Sequence, residues 1–358
     1  MEPDAADIAP PKKADRFAPL SMRHLAVGEG HELYVETVGR ADGIPAVYLH
    51  GGPGSGCQPD HRRLFDPLRF HAVLFDQRGA GRSRPKGSRE ANTLPHLIAD
   101  MEVIRETLGI ERWLVVGGSW GATLALAYTQ AYPSRVSGIV LRATFLGTRD
   151  ELEWTFIGGL RRFYPDLNDD FLSLLPPDER DQPLDAYWRR ILDPEPAVHG
   201  PASRAWHDTE RILSEHKPSK TRLDLAAVAN DERGLPSSPF MEAHYFQNGC
   251  FMKPGQLLEN AGRLKGIPGV VVQGRYDLLC PPSTAHALLA AWPDAKLQMV
   301  ETAGHSLYDP GVKDAVVAAI EELSRASQGG ARRFPIASRT ESIGHCHQRL
   351  TRTPQQGT

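Results

Sequence analysis

Six short apolar runs, each bounded by glycine, proline or aspartate, constrain the fold of this 358-residue chain most strongly. They are too continuous for half-exposed strands and too short for buried helices, so we interpret them as central strands of a mostly parallel sheet. Helical patterns lie between several of them, and such alternation is typical of an α/β protein with right-handed crossovers. The runs are AVYLH (46–50), HAVLFD (71–76), RWLVVGG (112–118), VSGIVLRA (136–143), GVVVQG (269–274) and AKLQMV (295–300).

Helices and an edge hairpin are predicted around these strands. Residues 93–109 place leucine, isoleucine and methionine along one face, and residues 122–132 form a second helical pattern. Residues 22–39 alternate on both sides of Gly28-Glu29-Gly30, which predicts an antiparallel hairpin at the sheet edge.

The strand–helix pattern stops in the middle of the chain, where proline-bearing joints separate helical segments and no β-rich run occurs. A helical insertion is the economical explanation. After the last helical pattern the composition turns to Gly, Arg, Ser, Thr and Gln, which indicates disorder. We expect a flexible N-terminus (1–20), an α/β core (21–144 and 256–326), an inserted helical cap (145–255) and a disordered basic tail (327–358).

Composition excludes several classes of function. The 41 basic and 44 acidic side chains give a net charge of −3, so nothing in the overall balance attracts nucleic acid or anionic lipid. The sequence has neither the pattern of a secretory signal nor a membrane span, and the simplest compartment is the cytoplasm. We expect no metal or other cofactor, because the cysteines are scattered and never form C-x-x-C. They are Cys57, Cys250, Cys280 and Cys346.

The pentapeptide Gly117-Gly118-Ser119-Trp120-Gly121 matches G-x-S-x-G between a predicted strand and a predicted helix. A sharp strand-to-helix turn forces Ser119 into an unfavourable backbone conformation and leaves no room for a Cβ on the flanking glycines. The hydroxyl would then stand clear at a helix N-terminus, where developing negative charge is favoured. Ser119 is therefore the candidate nucleophile, and a glycine-rich turn with an inert serine is the alternative.

A second glycine-rich loop, His50-Gly51-Gly52-Pro53-Gly54, follows another predicted strand. A hydrolytic serine needs two backbone N–H groups aimed at the oxyanion, one from the residue after the nucleophile and one from an earlier loop. Trp120 and Gly52, or Gly51 in place of Gly52, are the candidates. Taken alone, the loop is simply a turn.

A base and an acid are expected after the serine. Asp277 ends GVVVQGRYD at the tip of a predicted strand, and His305 follows AKLQMV, which gives the order serine, acid, histidine. His305 would accept the Ser119 proton and Asp277 would orient the imidazole. Glu301 and Asp309 are rival acids, but neither ends a strand in the crevice at the carboxyl end of the sheet.

Taken together, five motifs resemble those of the prolyl aminopeptidases (proline iminopeptidases) of the α/β-hydrolase superfamily. The resemblance covers about residues 20–325. It implies release of an N-terminal proline from short peptides through an acyl-enzyme, without metal or cofactor, by a triad of Ser119, Asp277 and His305. The motifs are HGGPGSGC, LFDQRGAGRS, ERWLVVGGSWGATLALAY, GRYDLLCP and AGHS.

The same resemblance implies how a free chain end is sensed. Glu210, in AWHDTE, and Glu242, in FMEAHYFQNG, stand where the family has cap glutamates that bind the substrate amine. Two carboxylates around one ammonium are physically reasonable, because a buried cation needs paired charge. From the sequence alone each would be a solvated helix carboxylate, as most glutamates are.

Phe145, in RATFLGT, and Cys280, in DLLCP, are similar to pocket-lining positions of the family, although both would also suit a hydrophobic core. Thr209 and Ala243 depart from the family, which usually has tryptophan and asparagine there. A carboxylesterase or amidase with an altered pocket is therefore the alternative function. A noncatalytic binding protein on a hydrolase scaffold would be expected to have a broken triad, and this sequence does not.

Overall fold

The structure, a computed structural model, describes residues 15–330, with side chains to residue 325. Its centre is one sheet of eight strands. They are β1 (Pro19–Gly28), β2 (His31–Gly39), β3 (Ile44–Leu49), β4 (Phe70–Phe75), β5 (Trp113–Ser119), β6 (Val136–Thr144), β7 (Gly269–Gly274) and β8 (Ala295–Val300).

The strand order is β1-β2-β4-β3-β5-β6-β7-β8. Strand β2 pairs antiparallel with β1 and β4, whereas all the other neighbours pair parallel. The sheet is therefore mostly parallel, and the predicted α/β-hydrolase fold is confirmed. The edge hairpin is also confirmed, and it contributes the antiparallel outer strands.

Burial explains why the central strands are continuous apolar runs. Every residue of β7 is buried, because helices cover both faces of the sheet. On one face of the sheet, a hydrophobic cluster joins the strands to helices and extends to the helices between β6 and β7. On the other face, a second cluster packs the strands against the last helix. The site described below lies at the carboxyl ends of the parallel strands.

The helices follow the predicted alternation on either side of a longer helical stretch. The α-helices are α1 (Leu94–Thr107), α2 (Trp120–Ala131), α3 (Arg149–Glu153), α4 (Leu160–Phe163), α5 (Pro165–Ser173), α6 (Pro183–Ile191), α7 (Pro196–Ser214), α8 (Leu225–Ala229), α9 (Ser238–Gln247), α10 (Gln256–Glu259), α11 (Pro282–Ala291) and α12 (Val312–Gly330). Short 3₁₀ turns and one π-helical stretch, Trp154–Gly159, join them.

Between β6 and β7 the described chain contains helices and turns but no strand. We refer to the part from Arg149 to Phe251 as the helical segment. Its aromatic side chains pack on one another: the rings of Phe156 and Trp206 stack with centroids 3.9 Å apart, and those of Phe171 and Tyr187 with centroids 4.0 Å apart.

Order extends further at both ends of the core than the composition indicated. Strand β1 begins within the predicted flexible N-terminus, and Phe17 before it is buried under the guanidinium groups of Arg16 and Arg63. At the other end, α12 continues past the predicted core boundary at residue 326 to Gly330. The rest of the basic tail, including Cys346, lies outside the described residues.

Three cysteines, Cys57, Cys250 and Cys280, are free and buried, and burial raises the pKa of each thiol. Between residues 15 and 330, no helix is long and apolar enough to cross a membrane. The same part of the chain brings no three metal-ligating side chains together.

Candidate active site

Ser119 lies at the turn where β5 ends and α2 begins, with φ of 57° and ψ of −125°. This conformation is unfavourable for a residue with a Cβ, so the surrounding structure must hold it in place. A Cβ on Gly117 would lie 2.2 Å from the Gly121 carbonyl oxygen, and one on Gly121 would lie 2.1 Å from the Leu49 carbonyl oxygen. Both glycines are needed so that the turn packs against the end of β3.

The loop after β3 lies directly against the serine. A Cβ on Gly51 would be 3.4 Å from the Ser119 Cβ and 4.0 Å from its Oγ. Buried His50 holds the loop: its Nε2 accepts the backbone N–H of Gln77 at 3.0 Å, so its proton is on Nδ1, which donates to the Gly51 carbonyl at 2.9 Å. Burial lowers the pKa of His50, which favours this neutral form.

Trp120 has a buried side chain that does not reach the site. Its Nε1 donates to Gln77 Oε1 at 2.9 Å, and its ring packs edge-on against Tyr245. Its backbone N–H is the first of α2, and such an N–H has no acceptor within its own helix. Any contribution of Trp120 to the site must therefore come from its main chain.

His305 and Asp277 form a direct pair. The His305 Nδ1 lies 3.1 and 3.0 Å from the two carboxylate oxygens of Asp277. Asp277 Oδ1 also accepts the backbone N–H groups of Leu279, at 3.0 Å, and Cys280, at 2.8 Å. Because an ionised carboxylate only accepts hydrogen bonds, Nδ1 carries the proton and Nε2 is left free to take one.

The rival acids have other partners. Glu301 forms an exposed ion pair with Arg275. Asp309 Oδ2 accepts the backbone N–H groups of Gly304 at 2.6 Å and His216 at 3.3 Å. Neither carboxylate contacts the His305 ring, so Asp277 is the acid that the fold brings to it.

The loop that carries His305 is bonded to the end of α7. The Ser214 carbonyl accepts the backbone N–H groups of His305 and Ser306, both at 3.0 Å. On the other side, the guanidinium of Arg142 donates to the His305 carbonyl. The main chain of His305 is thus held from both the sheet and the helical segment.

Ser119, His305, Gly51 and Gly52 line one cavity of about 310 Å³. Within residues 15–325, Ser119 Oγ makes no hydrogen bond, so the serine and the imidazole line the same space without a direct hydrogen bond between them. Such bonds are often long in an unliganded enzyme and shorten when substrate binds.

Two glutamates of the helical segment line the same cavity: Glu210 on α7 and Glu242 on α9. Glu242 is buried, and its Oε2 accepts the Trp206 Nε1–H at 2.6 Å, whereas its Oε1 is buried with no partner in the described residues. Burial raises the pKa of Glu242 to about 7. Burial, and then the charge of Glu242, raise the pKa of Glu210 well above its usual range.

We predict that Glu242→Gln stabilises the protein above neutral pH. The raised pKa means that the folded state loses stability as pH rises from the ordinary value of 4.5 through about 7, because a buried carboxylate must then ionise. Glutamine removes this cost and still accepts the Trp206 N–H. Thermal unfolding at pH 8 should shift upward by about 2 °C or more, and the gain should vanish near pH 4.5.

The exposed Glu232 supplies the matched control, since Glu232→Gln should not change the melting temperature at either pH. Equal melting temperatures of the Glu242→Gln variant and the wild type at pH 8 would contradict the raised pKa.

A smaller apolar pocket adjoins Ser119 and contains both predicted pocket residues, Phe145 and Cys280. The sequence analysis did not identify its other wall residues, because such side chains carry the same pattern whether they face a core or a ligand. The missed side chains are Leu152, Thr155, Phe156, Phe246 and Leu279.

Two residues differ from those usual in the family, and in the described structure they line neither the cavity nor the apolar pocket. Thr209 and Ala243 are both completely buried, and the Thr209 hydroxyl has no partner there. The substitutions therefore affect packing behind Glu210 and Glu242 more directly than the walls of the pocket.

Comparisons with known proteins identify the fold and the family. The sequence profile of the alpha/beta hydrolase fold matches residues 45–312. Proline iminopeptidase from Arabidopsis thaliana is 42% identical over 328 residues, covering 90% of this chain and 85% of that protein. Proline iminopeptidase from Xylella fastidiosa is 43% identical over 308 residues, covering 85% and 97%.

A solved structure supports the fold. That of proline iminopeptidase from Mycobacterium smegmatis superimposes with a TM-score of 0.56 at 20% identity and covers 87% of this chain and all of that one. Given the matching profile and the long alignments at above 40% identity, the chain belongs to the proline iminopeptidase family of α/β hydrolases.

Proposed function

We propose that the protein is a serine exopeptidase that releases N-terminal proline from peptides and prolyl amides. The observation that carries the proposal is the glutamate pair, with Glu242 buried and Glu210 partly buried, opening onto the cavity that holds Ser119 and His305. A hydrolase of neutral esters has no need for two desolvated carboxylates beside its nucleophile. An enzyme that requires a free ammonium group does.

The chemistry follows from the proposed triad. His305 Nε2 accepts the proton of Ser119 Oγ as the oxygen attacks the prolyl carbonyl, and Asp277 stabilises the imidazolium. The backbone N–H groups of Trp120 and of Gly52, or Gly51, stabilise the oxyanion. His305 then returns the proton to the leaving nitrogen, and the C–N bond breaks. Water attacks the acyl-enzyme by the same route and releases proline.

The glutamate pair has a physical reason to select the amine. Without substrate, two neighbouring buried carboxylates resist ionisation, which is why their pKa values are raised. A secondary ammonium between them supplies the missing positive charge, and the unpartnered Glu242 Oε1 supplies an acceptor for one of its N–H groups. A blocked prolyl amine offers neither the charge nor any N–H.

The apolar pocket beside Ser119 suits a compact ring. Its accessible space is about 30 Å³. A water-sized group needs roughly 10–15 Å³ by the same measure, so the pocket holds two or three heavy atoms, the size of the proline ring methylenes. Phe145 and Cys280 would contact the ring there. We further propose that the chain from residue 145 to 255 acts as a cap, since it brings both glutamates over the core.

A panel of aminoacyl arylamides, each with a free and an N-acetylated amine, tests the proposal. We expect the free prolyl arylamide to be the best substrate, and the acetylated compounds to be hydrolysed poorly. Faster turnover of nitrophenyl esters than of prolyl arylamide, with no effect of acetylation, would favour the carboxylesterase or amidase alternative.

Asp277→Asn should reduce kcat by about 10⁴, because the amide stabilises the wrong imidazole tautomer and cannot offset its charge. Steady-state kinetics with prolyl arylamide measure the effect. Glu301→Gln is the matched control, since within residues 15–325 the carboxylate of that rival acid pairs with Arg275 and not with His305. A similar loss in the control, or none in Asp277→Asn, would contradict the assignment.

A further inference from the structure

The cavity extends beyond the groups that the proposed function uses. The apolar pocket shares Ser119, Gly52, Glu210 and Leu279 with the larger cavity. If the prolyl ring occupies the pocket, the rest of the cavity must hold both the prolyl amine, at Glu242, and the leaving peptide. Beyond the residues that it shares with the pocket, the cavity is lined by basic and aromatic groups, among them Arg211 and His61.

Arg211 is an unpaired cation at this position. Its side chain is exposed, and within residues 15–325 its guanidinium makes no ion pair, even with the adjacent Glu210. A groove of the helical segment adjoins the cavity, and the other two arginines that line it are both paired. Arg222 pairs with Asp170, and Arg233 pairs with Asp208. Arg211 lines both the groove and the cavity.

The direction of the Arg211 side chain follows from α7. His207, Glu210, Arg211 and Ser214 all line the cavity, and the spacing i, i+3, i+4, i+7 places them on one face of a helix. At a rise of 1.5 Å per residue, this stripe covers roughly 10 Å. The glutamate proposed to bind the amine and the unpaired arginine are therefore neighbours along one wall.

His61 offers a hydrogen-bond donor to the same space. Its Nδ1 accepts the backbone N–H of Gln58 at 3.0 Å, so the neutral ring carries its proton on Nε2. Burial lowers the pKa of His61 to about 4, which keeps the ring neutral at physiological pH. Its ring packs against Tyr48 with centroids 4.5 Å apart, and Nε2 makes no hydrogen bond to the described residues.

We propose that Arg211 and His61 form a subsite for the C-terminal carboxylate of the leaving group, which makes prolyl dipeptides the preferred substrates. This inference rests on the proposed function. A dipeptide is zwitterionic, and the lining of one cavity combines the two carboxylates, for the ammonium, with the unpaired donors of Arg211 and His61, for the carboxylate. One residue spans about 3.5 Å, so only a short leaving group keeps its carboxylate within this cavity.

The experiment compares prolyl-alanine with prolyl-alanine amide, which differ only in the terminal charge. Hydrogen bonds to charged groups contribute up to about tenfold each in partly exposed sites. We expect the wild-type protein to hydrolyse the acid with about tenfold higher kcat/KM. In Arg211→Gln the ratio of acid to amide should fall severalfold toward one, chiefly through a higher KM for the acid.

Two further variants sharpen the test. His61→Phe keeps the ring that packs on Tyr48 but removes the donor, and it should lower the ratio partly. Arg161→Gln removes an exposed arginine of the helical segment that does not line the cavity, and it should retain the wild-type ratio.

A wild-type ratio near one, or an unchanged ratio in Arg211→Gln, would overturn the subsite if prolyl arylamide is still hydrolysed. If the wild type hydrolyses no prolyl substrate, the proposed function fails and the subsite fails with it.

Discussion

The Ser119→Ala variant is expected to hydrolyse prolyl arylamide at least about 10⁴-fold more slowly than the wild type, because the proposed acyl-enzyme forms on the Ser119 oxygen. The strained turn depends on the flanking glycines and not on the hydroxyl, so the variant should fold normally. Near-normal turnover would end the account of Ser119 as the nucleophile.

Covalent labelling separates a missing nucleophile from a damaged fold. A fluorophosphonate probe should label the wild-type protein at a single residue and leave Ser119→Ala unlabelled. Ser203→Ala is the matched control, since Ser203 is a buried serine of α7 whose hydroxyl has no partner in the described residues. Both the activity and the labelling of this control should equal those of the wild type.

Replacing either Glu210 or Glu242 with glutamine should cost about 2–5 kcal/mol in kcat/KM for prolyl substrates, which is about 30-fold to several-thousand-fold. The remaining carboxylate cannot neutralise and fully hydrogen-bond a desolvated ammonium by itself. Because both residues bind one group, the double variant should lose much less than the sum of the two single losses. Glu215→Gln, just past the end of α7, should retain wild-type kinetics.

A substrate with a blocked amine tests whether Glu210 and Glu242 act on the amine itself. N-acetylprolyl arylamide should already be a poor substrate of the wild type, and neither glutamine variant should make it much poorer. Equal turnover of the free and acetylated compounds by the wild type would refute amine binding by the pair. A loss of the same size on both compounds would indicate that the variants damage the site generally.

Much of the fold could be predicted because buried parallel strands have a local signature. The predicted bounds of β7 and β8 agree with the structure, and those of β3 and β5 shift by only one or two residues. The burial of Phe17 was missed, since it depends on Arg63, which is distant in sequence, and the surrounding prolines and charges indicated only a flexible end.

Less of the site could be read locally. The role of Gly117 and Gly121 could be predicted from the sequence, since a sharp strand-to-helix turn needs glycine at these positions. His61 and Arg211 carry no such signal, because one sits in a short turn and the other on an exposed helix face. Their significance appears only when the fold brings them to one cavity. For the same reason, the packing of Thr209 and Ala243 behind the glutamates could not be known beforehand.

The carbonyl of Ser214, which accepts the backbone N–H groups of His305 and Ser306, connects the helix of the glutamate proposed to bind the amine to the proposed general base. Four residues earlier the same helix presents Glu210. One could exchange the helices of this protein for those of a relative in order to change which residue is released. Such a chimera must keep the length of α7 and its end at residue 214. A chimera in which this helix end is shifted by one residue would displace the loop that carries His305. It would therefore lose rate on every substrate alike, and its substrate specificity would not be the property that changes.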